Sequence, residues 1–147
     1  MDGNGRWARA QGIERSIGHR QGSEAVRRIV RCARRTGIRA LTLYAFSEQN
    51  WDRPVHEVTA LMELLRDFLL SERDEILDNG VRLRAVGRID KLPPRVREVL
   101  DPLIADSAQC EGMTLTLALS YGGREEIVDA IRRIAARVHV GELAVDT

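Results

Sequence analysis

Several marks of large protein classes are missing from this sequence. Cysteine is scarce: Cys32 and Cys110 alone make no disulfide framework, and neither stands in a metal-ligand cluster. Long apolar runs are absent. The longest, Leu43 to Phe46, is four residues, against the ~18–20 that a bilayer helix needs. No transmembrane span is expected. The opening Asp2-Gly3-Asn4-Gly5-Arg6 leads into no apolar stretch, so no secretory leader is expected either. The reading is a reduced, cytoplasmic protein. Lysine is nearly absent, Lys91 standing beside 22 arginines, which carries little functional weight. There are no repeats, low-complexity tracts or internal linkers. No Ser/His/Asp triad spacing, zinc cluster or nucleic-acid module is visible.

The residues present describe one soluble domain, or part of a larger one. The chain has 147 residues, 44% hydrophobic and 31% charged, a globular rather than disordered balance. Net charge is only +1, which excludes a strongly basic nucleic-acid binder. The distribution is uneven. Residues 1–40 carry ten arginines against Asp2, Glu14 and Glu24, a surplus of seven, and the remainder is acidic by six. Such a field suits a polyanion such as a phosphate ester, and equally a solvated helix face.

Periodicity orders the chain as helices and strands in alternation. A loop at Gly3-Asn4-Gly5 precedes a short helix from Arg6, and Gly12, Gly18 and Gly22 interrupt the next stretch. Ser23 is expected to cap a helix reaching Thr36, with Val26, Ile29, Val30 and Ala33 on its apolar side and Gly37 at its end. Ile38 to Phe46 reads as a strand. A polar loop, residues 47–53, leads through Pro54 into a long helix ending at Asn79-Gly80. Val81 to Val86 is the next strand. Pro93-Pro94 opens a helix that Pro102 is expected to kink or divide. Thr114 to Leu119 is a third strand, and Ser120-Tyr121-Gly122-Gly123-Arg124 a loop. A last helix comes after it, with Ile127, Val128, Ile131, Ile134, Ala135 and Val138 as its buried stripe. Strands separated by helices predict an α/β fold, a parallel sheet with helices on both faces. Ligands of such sheets bind beyond the carboxyl ends of the strands. The segments 47–53, 87–90 and 120–124 should therefore share one rim.

Gly3-Asn4-Gly5-Arg6 is a candidate phosphate cradle, because small residues admit backbone N–H groups to an anion. From the glycines alone, an ordinary turn before a helix is the stronger reading. Arg6 and Arg15 would add charge-assisted forks. Asp2 could hold Mg²⁺, which takes one or two carboxylates with phosphate oxygens and waters. His19, near Arg15 and Arg20, reads as structural or as a phosphate donor. The long helix reads as core, and alternatively as the wall of an apolar tunnel.

Taken in order, Met1-Asp2-Gly3-Asn4-Gly5-Arg6-Trp7-Ala8, Arg15, Gly18-His19, Gly22, Leu41 to Ser47, Asn50-Trp51, Arg53-Pro54 and Glu57-Val58 closely resemble the cis-prenyltransferases. Tyr121-Gly122-Gly123-Arg124 and the helix after it resemble a later block of that family. The resemblance covers nearly the whole chain. It implies condensation of isopentenyl diphosphate with an allylic diphosphate such as farnesyl diphosphate, giving Z-polyprenyl diphosphate, a membrane-associated lipid, with Mg²⁺. It implies an enzyme that is dimeric in the full-length family and works in the cytoplasm or at the membrane periphery, with no nucleic acid involved. Asp2 would be the catalytic carboxylate and metal ligand. Gly3, Asn4, Gly5 and Arg6 would cradle the allylic diphosphate, with Arg15 and His19 assisting. Asn50 stands at the position assigned to proton removal. Trp7, Ser47, Glu48, Gln49, Trp51 and Arg53 fall in substrate-contact segments. Ala45 would face the tail.

Two positions depart from the family pattern. Gln49 stands where Glu is usual, and Ser120 where Asn is usual. The resemblance also implies an incomplete domain over residues 1–147, lacking a leading strand and the C-terminal third with the isopentenyl diphosphate site. Open edges and uncovered apolar faces are then expected. A half-site carrying the allylic diphosphate is the leading expectation. A noncatalytic prenyl-diphosphate-binding subunit and a nonfunctional remnant are the alternatives.

Overall fold

The structure, a computed structural model, describes residues 3–144. Its elements are α1 (Asn4–Ala10), α2 (Arg15–Arg35), β1 (Ala40–Ser47), a 3-10 turn (Glu48–Asp52), α3 (Val55–Asp78), β2 (Arg82–Val86), a second 3-10 turn (Ile89–Lys91), α4 (Pro94–Asp106), β3 (Thr114–Tyr121) and α5 (Gly123–His139). The strands form one parallel sheet in the order β1-β3-β2. The α/β class is as expected. The last strand enters between the first two, so β3 has neighbours on both sides and is almost continuously buried.

Among the described residues helices cover one face of the sheet, not the two expected. Ala33 of α2, Met62, Leu69 and Ile76 of α3, and Val96, Leu100 and Leu103 of α4 all pack on Leu83, Leu115, Leu117 and Leu119. Each fully buried leucine there contributes about 1.5–3 kcal/mol. On the other face Thr42, Tyr44, Arg84 and Val86 are exposed. The stripe expected to bury α5 is exposed as well: Ile127 by 63%, Ile131 by 60% and Ile134 by 52%. No residue of α5 is buried. Its periodicity is helical, but no layer among the described residues receives it. The described part of α5 is held by polar contacts near its start. Asp129 accepts from Arg88 Nε at 2.8 Å and Nη2 at 3.1 Å, and Tyr121 O–H donates to Glu126 at 2.7 Å. Among the described residues this apolar surface is uncovered.

The glycines at 18 and 22 do not break the second helix. It runs unbroken from Arg15, and Ser23 is inside it, its hydroxyl donating to the His19 carbonyl at 3.3 Å. Helix start signals failed there because these glycines serve packing. A Cβ at Gly18 would collide with the Asn4 carbonyl, and one at Gly22 with the Asn4 amide. Helix ends were legible. Gly37 and Gly80 take positive φ, and the next residues, Ile38 and Val81, donate back to Ala33 and Ile76. β1 accordingly starts at Ala40, two residues later than expected. Pro102 does not divide α4. The carbonyl it deprives belongs to exposed Glu98, where water can serve it. β3 continues through Ser120 and Tyr121, which were expected in a loop.

Candidate active site

The carboxyl ends of the three strands open on one rim, and the site is built there. At the end of β1 the pairing shifts: Tyr44 faces Ala118, but Phe46 faces Leu119. This bulge at Ala45 re-aims the strand, and both Ala45 and Phe46 line the same cavity.

The loop before α1 sits beside that rim. Gly3 takes φ +90°, a conformation open chiefly to glycine. Its carbonyl accepts the Trp7 N–H at 2.8 Å, starting the helix. Asn4, expected in a loop but standing in the first turn of α1, lies on the two glycines of α2, which fixes α1 against that helix. A Cβ at Gly5 would come within 2.8 Å of Arg15 Nε, so the guanidinium rests directly on the first turn of α1.

Four charged or polar groups converge next to it. Glu57, in the first turn of α3, accepts from Arg53 Nη1 at 2.7 Å and from Arg15 Nη1 at 3.3 Å. His19 Nε2 is 4.0 Å from the same carboxylate. That nitrogen is buried and has no hydrogen-bond partner among the described residues. Burial, then the charge of Arg53, pushes the His19 pKa below its usual value; Glu57 opposes this and Arg15 adds to it. An anion arriving here would find donors already in place, and the imidazole would gain a partner.

Beyond these groups lies a cavity of about 110 Å³. Asn4, His19, Asn50 and Arg53 form its polar wall. Val26, Leu43, Leu61, Leu65, Phe68 and Leu117 form its apolar one. A cavity of about 150 Å³ lined by apolar groups accepts benzene, so this one suits a short hydrocarbon segment in its present shape.

The remaining expected residues divide between the site and its supports. Asn50 lines the cavity while its Oδ1 accepts the Ser47 N–H at 3.0 Å, which shapes the turn. Trp51 is not in the cavity wall. Its ring meets Phe46 edge-on at 4.9 Å, and its indole N–H donates to Ser120 Oγ at 2.8 Å. Glu48 turns away toward α5, accepting from Ser120 Oγ at 2.8 Å and from Arg88 at 3.3 Å, with Lys91 also bound. Burial pushes its pKa up, but Lys91, Ser120 and Arg88 outweigh that and hold it below the usual value. Gln49, Arg6 and Trp7 are exposed. Asp2 lies outside the described residues.

Two residues were given no role in the site. Glu57 draws Arg15, His19 and Arg53 together, yet in the sequence it stands only within the resembling segments and four residues after Arg53. Ser120 reads only as a departure from a pattern, but it is 1% exposed and adopts φ +47°. Asparagine tolerates that left-handed conformation better than most residues, which gives a physical reason for the usual amide there.

Among the described residues no group of three or more His, Cys, Asp or Glu lies together. Mg²⁺ commonly takes one or two carboxylates with phosphate oxygens and waters, and the carboxylate expected to hold it, Asp2, lies outside the described residues.

Comparison with known proteins agrees with this geometry. The prenyltransferase family model described as "Putative undecaprenyl diphosphate synthase" matches residues 1–146. A ditrans,polycis-undecaprenyl-diphosphate synthase of Lactiplantibacillus plantarum is 43% identical over 145 residues, 99% of this chain and 56% of the relative. The enzyme of that name from Salmonella paratyphi A is 47% identical over 146 residues, 99% of this chain and 58% of its own length. This chain thus spans somewhat over half of those relatives. The crystal structure of lavandulyl diphosphate synthase from Lavandula x intermedia, in complex with dimethylallyl diphosphate, superposes with a TM-score of 0.94. It is 36% identical, over 99% of this chain and 63% of that one. By fold, motif order and sequence alike, this chain belongs to the cis-prenyltransferase family.

Proposed function

We propose that this chain binds an allylic prenyl diphosphate, such as farnesyl diphosphate, and presents it for condensation with isopentenyl diphosphate to a Z-polyprenyl diphosphate. The supporting observation is the junction of an arginine–histidine cluster with an apolar cavity in one site. An amphipathic molecule with a charged head and a hydrocarbon tail matches that junction.

Each residue of the site has a distinct role in this reaction. Gly3 to Arg6 receive the diphosphate on backbone and side-chain donors. Arg15 and Arg53 offset the charge that grows on the leaving diphosphate as the allylic C–O bond breaks. His19 shares a proton with a phosphate oxygen. Asn50, at the edge of the cavity, orients the group that loses the proton after the new C–C bond forms. A Mg²⁺ bound by Asp2 and the diphosphate oxygens would supply further charge neutralisation. Isopentenyl diphosphate and a second copy of the chain are partners on family grounds. In this reading the residues named above serve the allylic half of the chemistry.

The test is Mg²⁺-dependent incorporation of labelled isopentenyl diphosphate into farnesyl diphosphate by the intact chain. Polymer formation that is lost in Asp2→Ala supports a catalytic role. Retained farnesyl diphosphate binding without incorporation identifies a binding subunit instead. Co-expression with a complete relative would then show whether it completes a partner.

A further inference from the structure

Among the described residues the Glu57 carboxylate is the one anion in contact with three cationic or protonatable groups of the site, and these come from two separate parts of the chain. Arg15 and His19 belong to α2, and Arg53 precedes α3. The carboxylate is nearly closed off, with 12% of its side chain exposed. Two guanidiniums drawn this close would repel without it. Each uses one N–H toward Glu57, and a guanidinium has further donors pointing elsewhere. The carboxylate therefore leaves both arginines able to bind a second anion at the same time.

The position of Glu57 comes from local structure. Pro54 starts the turn, its carbonyl accepts the Glu57 N–H at 2.9 Å, and the side chain sits in the first turn of α3, where negative charge is favoured. The helix thus fixes the carboxylate, and the carboxylate fixes the arginines. It also links α2 to the start of α3, next to His19 and Arg53 of the cavity wall.

We propose that Glu57 is the positioning residue of the diphosphate site, holding Arg15 and Arg53 as a preformed pair around His19 so that the diphosphate binds without reordering either arginine. It touches no substrate atom and acts through the two arginines. The inference rests on the diphosphate reading of the site. Its physical basis is preorganisation: a misplacement of about 1 Å in a supporting group can cost on the order of a hundredfold.

The experiment compares the intact chain with Glu57→Gln, using inorganic pyrophosphate and farnesyl diphosphate as probes by calorimetry. Glu57→Gln keeps the shape and removes the charge. Both probes should bind at least about tenfold more weakly, about 1.4 kcal/mol. The effect should nearly vanish in an Arg15→Lys, Arg53→Lys background, because the residue acts through those forks. A second readout needs no ligand. The His19 imidazole, which faces Arg15, Arg53 and Glu57, should titrate lower in Glu57→Gln by NMR. If that variant does not fold, Glu57→Asp withdraws the carboxylate by one methylene, keeps the charge and should still weaken both probes. Equal affinity in either folded variant, or a weakening that persists undiminished without the arginine forks, overturns the role of Glu57 alone. An unmoved His19 titration overturns the contact on which it stands. Failure of the unaltered chain to bind either probe overturns the diphosphate reading and this role with it.

Discussion

The indole N–H of Trp51 donates to the hydroxyl of Ser120 at 2.8 Å, joining the turn after β1 to the end of β3. Ser120 in turn donates its own hydroxyl proton to Glu48 at 2.8 Å. One small hydroxyl therefore fastens the turn that carries Asn50 to the central strand. Ser120→Ala would leave the Trp51 N–H and a Glu48 oxygen short of a partner. The cost should be about 1–3 kcal/mol, read by chemical denaturation. An unchanged midpoint would show that the bond contributes nothing.

Acid should loosen the same junction. Lys91, Ser120 and Arg88 hold the Glu48 carboxyl below its usual value despite burial. The stabilisation is therefore complete above the unfolded carboxylate range, near pH 4.3 to ~4.5, and is lost as pH falls through the lower folded value. Glu48→Gln should flatten the acid limb of the stability–pH curve. A limb of the same steepness would assign acid sensitivity to other carboxylates, of which Glu75 and Asp129 are also held low, by Arg31 and Arg88.

Gly22→Ala tests the seat of α1 on α2. In an exposed helix interior the change to alanine stabilises by about 1 kcal/mol. Here the new methyl would strike the Asn4 side chain. The prediction is a net loss of stability and weaker pyrophosphate binding, by calorimetry. A more stable variant with unchanged binding would mean that α1 does not rest on α2 through Asn4.

Much of this architecture was legible because it is local. The apolar spacing of Leu61, Met62, Leu65, Phe68 and Leu69 marked α3 to within a residue, and Gly37 and Gly80 marked helix ends. The resemblance brought Asn4, His19, Asn50 and Arg53 to one site, and all four line one cavity. The features that escaped were long-range. Gly18 and Gly22 read as breakers because only the approach of Asn4 explains them. The stripe on α5 read as buried because periodicity says which side is apolar, never what covers it. Glu57 and Ser120 draw their meaning from partners 42 and 69 positions away.

Two substitutions should separate covered from uncovered apolar surface. Leu103 is 0% exposed in the core beneath β2 and β3, so Leu103→Ala should cost about 2–5 kcal/mol. Ile131 is 60% exposed, so Ile131→Ser should change the stability of this chain by no more than about 0.5 kcal/mol. A comparable loss from both in denaturant melts would contradict the open position of α5.

Ala45→Leu probes the cavity. Its small side chain lies on the wall at the β1 bulge, and the replacement would fill space that is only about 110 Å³. Farnesyl diphosphate should lose affinity while inorganic pyrophosphate binds as before, and an active enzyme should release shorter products. Unchanged tail affinity and product length would move the hydrocarbon elsewhere.

The central claim is that charged head and apolar tail are bound together at one place. The most direct measurement is calorimetric titration of the intact chain, with Mg²⁺, using farnesyl diphosphate, inorganic pyrophosphate and farnesol in turn. The expected result is that farnesyl diphosphate binds more tightly than either part. Its affinity should fall on replacing Arg53 at the head, and also on replacing Ala45 with leucine at the tail. Farnesyl diphosphate that binds no better than pyrophosphate, or that ignores both substitutions, would contradict the assignment.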